Sequence, residues 1–260
     1  MILAVDIGNS NIVLGCIEDR KIKKEARIAT DLIKTSDQYC AELKNMLDLL
    51  EIPVDSIEGS IISSVVPPLL NSFKTAIRKL TGKVPLVVGP GIKTGLNILL
   101  DNPALAGGDL IVAAVAALAE YPAPMLIIDM GTATTITAID EKKNYLGGCI
   151  CPGVKISAEA LSGRTAQLPA ISLEAPQKAI GRNTIDSMRS GLMMGSAAML
   201  DGMIDRMEEE LGHPVTVIAT GGIARFVIPM CRRKIHYDKD LLLKGLLRLY
   251  ENNKRPGGLS

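Results

Sequence analysis

Two stretches decide how this chain folds: LAVDIGNSNIV at Leu3–Val13 and LIIDMGTATTI at Leu126–Ile136. Set at an offset of 123 residues, each runs through apolar residues to an aspartate (Asp6, Asp129). One more apolar residue, a glycine (Gly8, Gly131) and several small hydroxyl or amide residues follow, and then a strand resumes. The pattern predicts a β-hairpin whose first strand ends at the aspartate. The glycine permits the tight bend, and the turn presents backbone N–H groups to whatever lies above it. Two such hairpins nearly half a chain apart predict two similar domains facing one cleft.

Outward from the hairpins, strands alternate with helices. β-branched runs predict strands at 57–66, 84–89 and 215–221. Helices are predicted at 36–50, 68–81, 109–121, 155–162, 183–212 and 238–253. Gly147-Gly148 and Pro152-Gly153 read as turns, and the methionines of GLMMGSAAMLDGMIDRM as interior packing on a long helix. The polar tail NNKRPGGLS (252–260) reads as a fraying end. No low-complexity linker intervenes, so the boundary falls within 105–125, giving domains at 1–115 and 116–260. The fold class is α/β, built by internal duplication.

Composition excludes several functions. Among 260 residues, 29 Lys plus Arg face 28 Asp plus Glu, so no net field attracts nucleic acid or anionic lipid. Seven aromatics, with no Trp, offer few platforms for stacking bases. The five cysteines (Cys16, Cys40, Cys149, Cys151, Cys231) form no C-x-x-C pair, and with only His213 and His236 beside them they build neither a zinc site nor a disulfide framework. MILAVDIGNSN lacks the basic start of a signal peptide, and the longest apolar run, Leu110–Ala119, is about half a membrane span. A cytoplasmic protein without nucleic-acid or membrane partners is expected.

Asp6 and Asp129 stand at the mouths of their turns, where a carboxylate can hold a cation while turn amides hold phosphate oxygens. Ser10, Asn11, Thr132, Thr134 and Thr135 add donors at the same rims. Either aspartate alone could simply cap its hairpin; their pairing favours a phosphate clamp. Asp109, in ALAGGDLIVAAVAALAEY, follows Gly107-Gly108 and begins an alanine-rich helix. It reads as an N-cap, as a general base beside a bound phosphoryl donor, or as both. GPGIKTG (89–95) is not a Walker loop, because no Gly-Lys-Ser/Thr occurs in the chain, and no G-x-G-x-x-G follows a strand. Thr220-Gly221-Gly222 suits either a flat ligand lying on backbone or a plain strand-to-helix turn.

The order VDIGNSN, GPGIKTGLN, DNP, GGD, IDMGTATT, GG-x-I-x-PG, GRNT and ATGG resembles the bacterial type III pantothenate kinase family, nearly end to end. That family sits in the acetate and sugar kinase superfamily with actin and hexokinase. The resemblance implies two ribonuclease-H-like (actin-like ATPase) domains with an ATP cleft between them, and a homodimer. It implies phosphorylation of the primary hydroxyl of pantothenate, the first step of coenzyme A synthesis, with ATP, Mg2+ and a monovalent cation, K+ or NH4+. Carried over by position, Asp6, Ile7, Gly8, Asn9, Ser10, Asn11, Ile12 and Val13 cradle the ATP phosphates, with Asp6 also at the divalent metal that ATP carries. Thr132 touches ATP, Asp129 holds the monovalent cation, and Asp109 is the proton acceptor. Leu100, Gly107, Gly108, Asp109 and Leu110 line the substrate pocket, and Thr184 reaches the substrate of the neighbouring subunit.

Two departures bear on the substrate. The family has Arg-Tyr where Leu99-Leu100 stand, and Gly-x-Asp-Arg where Gly107-Gly108-Asp109-Leu110 stand. Pantothenate carries a carboxylate that stays ionised at neutral pH, and burying it without a cationic partner is costly. The change at Leu110 is expected to weaken pantothenate binding by on the order of tenfold to a hundredfold unless another cation compensates; Arg164, in SGRTAQLP, is the candidate. Three readings stay open: an active pantothenate kinase, a paralogue with a binding or regulatory role, and a kinase for an uncharged relative such as pantetheine.

Overall fold

The computed structural model describes residues 1–254; the last six residues of the predicted fraying tail lie outside the described residues. The chain forms two compact units. One comprises Met1–Gly95, Asn102–Ala119 and the chain from Leu241 onward; the other comprises Leu96–Asp101 and Glu120–Asp240. These units differ from the expected contiguous division in three places: the segment 96–101, residues 116–119 at the end of the alanine-rich helix, and the C-terminal helix.

In the first unit, β1 (Ile2–Ile7), β2 (Asn11–Glu18) and β3 (Lys21–Ala29) form an antiparallel meander. After α1 (Ser36–Leu49), β4 (Gly59–Ser64) pairs parallel with β1. After α2 (Pro67–Thr81), the two-residue β5 (Leu86–Val87) pairs parallel with β4. The order is β3-β2-β1-β4-β5. Alternation along the strands sends Leu3, Val5, Ile7, Ile12 and Leu14 to one face, where Leu43, Phe73 and Ile77 of α1 and α2 meet them. The rings of Tyr39 and Phe73 stack at 4.4 Å between centroids. Helix boundaries follow local chemistry: Thr35 and Gln38 close a capping box before α1, prolines occupy the first turn of α2, and Gly82 ends it in the left-handed conformation.

The opposite face of this sheet receives α8 (Leu241–Asn253), whose Leu243 fills the space left bare by Gly15 of β2. Gly245 of α8 lies against the Val112 backbone of α3 (Gly108–Glu120), so close that no side chain fits there. The contact explains why the last helix belongs to the first unit.

The second unit holds β6 (Asn97–Ile98), β7 (Met125–Met130), β8 (Ala133–Ile139) and β9 (Asn144–Pro152). It continues through α4 (Val154–Arg164), α5 (Thr184–Arg189), α6 (Gly195–Leu211), β10 (Thr216–Thr220), α7 (Ala224–Val227) and β11 (His236–Tyr237). Its sheet runs β11-β10-β7-β8-β9-β6. Without β6, which adds to β9 at the edge, order and strand directions repeat those of the first sheet. The duplication expected from two hairpins is a duplication of topology. Ile136, Leu126 and Ile128 pack with Leu200 and Ile204 of α6, and Met193 is buried among them.

Three local readings are corrected. The predicted helix 183–212 is α5 and α6 joined by a π-helical turn, Ser190–Met194, rather than one regular helix. Gly147-Gly148 is not a turn but the middle of β9: Gly147 takes φ +115°, and Gly148 lies too close to the Ile136 carbonyl for any Cβ. The repeat also slips after the turn. Asp6 pairs with Val13 and Ile7 with Ile12, whereas Asp129 pairs with Thr135 and Met130 with Thr134. The second turn is therefore one residue shorter, and Thr134, not Thr135, is the counterpart of Ile12. Burial agrees, since Ile12, Leu14, Thr134 and Ile136 are all buried while Val13 and Thr135 are less so. No helix among the described residues is long and apolar enough to cross a membrane.

Candidate functional site

Each unit carries its share of the expected site. In the first, the turn after β1 is closed by a 3.0 Å hydrogen bond from Gly8 N–H to the Asn11 carbonyl. Asn9, Ser10 and Asn11 are exposed on its outer side, while Asp6 is buried at the end of β1. From beneath, the Thr30 hydroxyl donates to the Gly8 carbonyl at 2.6 Å and the Thr30 amide donates to Ser10 O at 3.1 Å. Those bonds occupy the Gly8 and Ser10 carbonyls and fix the shape of the turn. Ile7 and Ile12 pack into the core behind this turn, while Val13 is half-buried on the other face of β2.

Directly beside Asp6, Ser63 of β4 is its register partner and shares its face of the sheet. Above that face begins α3. Its first helical hydrogen bond runs from Ile111 N–H to the Gly107 carbonyl, so Gly107, not Asp109, occupies the cap position. Asp109 sits inside the first turn, and its Oδ1 accepts from the Leu110 amide at 2.8 Å. Burial raises its pKa above the ordinary carboxylate range, against the lowering effect of backbone hydrogen bonds. A carboxylate with raised proton affinity at a helix start can accept a hydroxyl proton, which a simple cap would not require. The start of α3 thus meets Ser63, the register partner of Asp6, at Gly108 within one unit.

In the second unit, Gly131 N–H donates to the Ala133 carbonyl at 3.0 Å, closing the shorter turn. Gly153, which caps α4, is pressed onto it: its amide donates to Thr132 O at 3.2 Å, and a Cβ there would lie 2.6 Å from Gly131 O. Asp129 stands in register between Thr135 of β8 and Thr220 of β10. The Thr135 hydroxyl is buried with no hydrogen-bond partner. Carboxylate and hydroxyl oxygens are the donors that hard cations take, so this row suits K+, NH4+ or Mg2+ rather than a soft transition metal. Among the described residues no group of three or more His, Cys, Asp or Glu could hold a metal ion. Gly221 has φ +98°, and a Cβ would lie 2.5 Å from Met130 O, so ATGG is bare backbone packed against the end of β7.

Leu100 belongs to the second unit, where its Cδ2 lies 3.1 Å from the Cβ position of Gly147. Leu110 packs its Cγ 3.5 Å from the Cβ position of Gly107. Leu99 is exposed and its amide bonds Tyr145 O. Thr184 opens α5 and lines an open groove of about 750 Å³ with Leu161, Leu168, Arg182 and Met188. Arg164 ends α4, exposed, and does not line that groove. Burial pushes the Cys16 thiol up to about 11 and Cys231 up to about 12, and raises Cys149, which keeps these three thiols protonated packing groups.

Sequence reasoning missed Thr30, Ser63 and Thr220 as neighbours of the turns. A signal for Ser63 exists, since Ser63-Ser64 stands between the apolar pairs Ile61-Ile62 and Val65-Val66. Thr30 carries none, because β3 and its end are assigned only by pairing.

Comparison with known proteins follows this geometry. The family model described as type III pantothenate kinase matches residues 2–206. A type III pantothenate kinase of an Exiguobacterium species is 46% identical over 255 residues, covering 98% of this chain and all of that protein. The Bacillus cytotoxicus protein of the same name is 44% identical, covering 97% of each chain. Among solved structures, a Campylobacter jejuni protein assigned to the Baf family of transcriptional activators aligns at TM-score 0.62 with 19% identity, over 96% of this chain and 98% of that one. A Sinorhizobium meliloti protein described as a 2-dehydro-3-deoxygalactonokinase aligns at TM-score 0.61 with 13% identity, over 100% and 99%. At such identities these two likenesses concern the fold.

Proposed function

This chain belongs to the type III pantothenate kinase family, and from that premise we propose that it transfers the terminal phosphoryl group of ATP to the primary hydroxyl of pantothenate, opening coenzyme A synthesis. The observation that carries the proposal is Asp109, a buried carboxylate of raised proton affinity at the start of α3, in the same unit as the Asp6 turn. In this reading the turn from Asp6 to Val13 holds phosphate oxygens with its amides. Asp109 takes the proton of the acceptor hydroxyl as that oxygen attacks phosphorus and ADP leaves. Asp6 is the residue proposed to stand at the divalent ion carried by ATP, which when bound would neutralise phosphate charge. Asp129, with Thr135 beside it, is the seat proposed for the monovalent cation, and Thr132 a further ATP contact.

The groove that includes Thr184 is proposed as the place where a second copy docks. Ile180 and Ile185, exposed near it, supply apolar surface for such a contact. In that groove Arg182 is the cation, and we assign it, rather than Arg164, to offset the charge of a bound carboxylate.

The leucines favour one alternative substrate. Leu110 packs at Gly107, and Leu100 packs at Gly147, so apolar groups stand at both expected substrate positions. Pantetheine, which lacks the carboxylate, fits such groups better than pantothenate does. The test supplies purified protein with ATP, Mg2+, K+ and either compound, and follows ADP release. Turnover of pantothenate is expected. Turnover of pantetheine alone would move the substrate assignment, and turnover of neither, with ATP still bound, would leave a binding protein.

A further inference from the structure

Ser63 is fully buried, at 0% exposure, and its Oγ has no hydrogen-bond partner. Its neighbour Ser64 shows what a structural serine does here, bonding Val66 O at 3.2 Å and accepting from Val66 N at 3.1 Å. Ser63 makes no such bond, and a buried hydroxyl left unpaired is a cost that native interiors rarely accept without a reason. Its surroundings supply one. In register with Asp6, it projects from the face on which α3 begins, and its Oγ lies 3.5 Å from the Cβ position of Gly108. Asp109 Oδ1 lies 2.7 Å from the Cβ position of Gly107. Hydroxyl and carboxylate therefore abut adjacent bare residues at the helix start, Ser63 against Gly108 and Asp109 against Gly107. Meanwhile Asp109 is engaged with the Leu110 amide of its own helix.

We propose that Ser63 is a positioning residue for phosphoryl transfer: when the Asp109 carboxylate turns from the Leu110 amide toward the acceptor hydroxyl, Ser63 Oγ–H donates to it and holds it in line. The inference rests on the kinase reading of Asp109. Ser63 gives up no proton. The acceptor hydroxyl loses its proton to Asp109, its oxygen bonds the transferred phosphorus, and the bond from phosphorus to ADP breaks. The bare backbone of Gly107-Gly108 is what lets the two side chains close on each other.

The test is Ser63→Ala, read by melting temperature, by ADP-release kinetics and by the pH profile of kcat. Removing an unpaired hydroxyl is expected to leave Tm unchanged or a few degrees higher. Loss of a hydrogen bond to a charged group is expected to lower kcat about tenfold or more, with KM for ATP within about twofold. The acid limb of the kcat profile is expected to move to higher pH, because the lost donor favours the ionised carboxylate. A clear fall in Tm would overturn the proposal by showing that the hydroxyl has a structural partner. So would an unchanged kcat or an unmoved acid limb in an otherwise active enzyme. Wild-type protein that releases no ADP with either substrate would instead defeat the kinase reading, and this inference with it.

Discussion

Replacing Gly107 by alanine plants a methyl group 2.7 Å from Asp109 Oδ1, the tightest contact it would meet. Ordinary van der Waals separation is roughly 3.5 Å, so the carboxylate has to retreat by about half an ångström or more. The backbone has no reason to move, since the obstructing atom is the end of a flexible side chain. Stability should change little. Losing glycine at the cap position costs up to about 1 kcal/mol, and reduced freedom of the unfolded chain returns about 0.4–1 kcal/mol. The net falls within about 1 kcal/mol, or about 2–4 °C in Tm for a chain of this size. Catalysis should change a great deal, because a misplacement approaching 1 Å can cost about a hundredfold. Thermal unfolding and ADP-release kinetics on one preparation of Gly107→Ala check both halves. A kcat within twofold of wild type would refute the placement of Asp109 at the reacting hydroxyl. A Tm lowered by 10 °C or so would refute the claim that the clash is confined to one side chain.

Asp109→Asn should lower kcat by about 10²–10⁴-fold with ATP affinity little changed, measured by ADP release and nucleotide titration. The same variant should melt higher than wild type at neutral pH: a carboxyl whose folded pKa is raised favours the fold below its unfolded pKa and loses that contribution as pH rises through the folded value. The advantage should shrink on acidification, and kcat of the wild type should climb with pH through that same raised pKa. Gly153→Ala forces a methyl against the Thr132 and Gly131 carbonyls, both backbone, so the second turn must shift; nucleotide affinity should fall in a titration, and unaltered affinity would remove that turn from the site. Leu100→Tyr combined with Leu110→Arg should lower the pantothenate KM by about tenfold or more, as a charged partner is regained. An unchanged KM would mean that these positions do not meet the substrate.

Much of the fold is legible in the chain because each hairpin carries its own punctuation. Apolar alternation, aspartate and glycine are local signals, and the strands and helices predicted around them appear within a few residues. What escapes is set at a distance. Nothing in LLLKGLLRLYE tells that Gly245 packs on Val112 and returns the last helix to the first unit. Nothing in YLGGCI tells that Gly147-Gly148 stays inside a strand, since a glycine pair serves a tight turn and a close strand approach alike. Leu96–Asp101 joins the second unit through a two-residue edge strand too short to carry a periodic signal. For the candidate site, Asp6, Asp109 and Asp129 are readable from type and position. Ser63 is harder to read, because its meaning depends on which strand lies beside β1.

The two halves also show how a duplicated unit diverges without changing topology. In the first, the aspartate at the end of the leading strand is buried and its in-register hydroxyl, Ser63, comes from the parallel neighbour on the side of α3. In the second, Asp129 is less buried, and its unpaired in-register hydroxyl, Thr135, comes from the antiparallel neighbour across the turn. The missing residue in the second turn sets the Thr135 pairing. Had the turn kept its length, Ile136 would stand opposite Asp129, and Thr135 would pair with Met130 and face the core, because a slip of one residue exchanges the faces of a strand. Shortening it puts the Thr135 hydroxyl beside the carboxylate, giving an oxygen-rich seat suited to a cation. In the first unit the hydroxyl beside the carboxylate is set instead by the parallel pairing of β1 with β4, which the length of the turn does not affect.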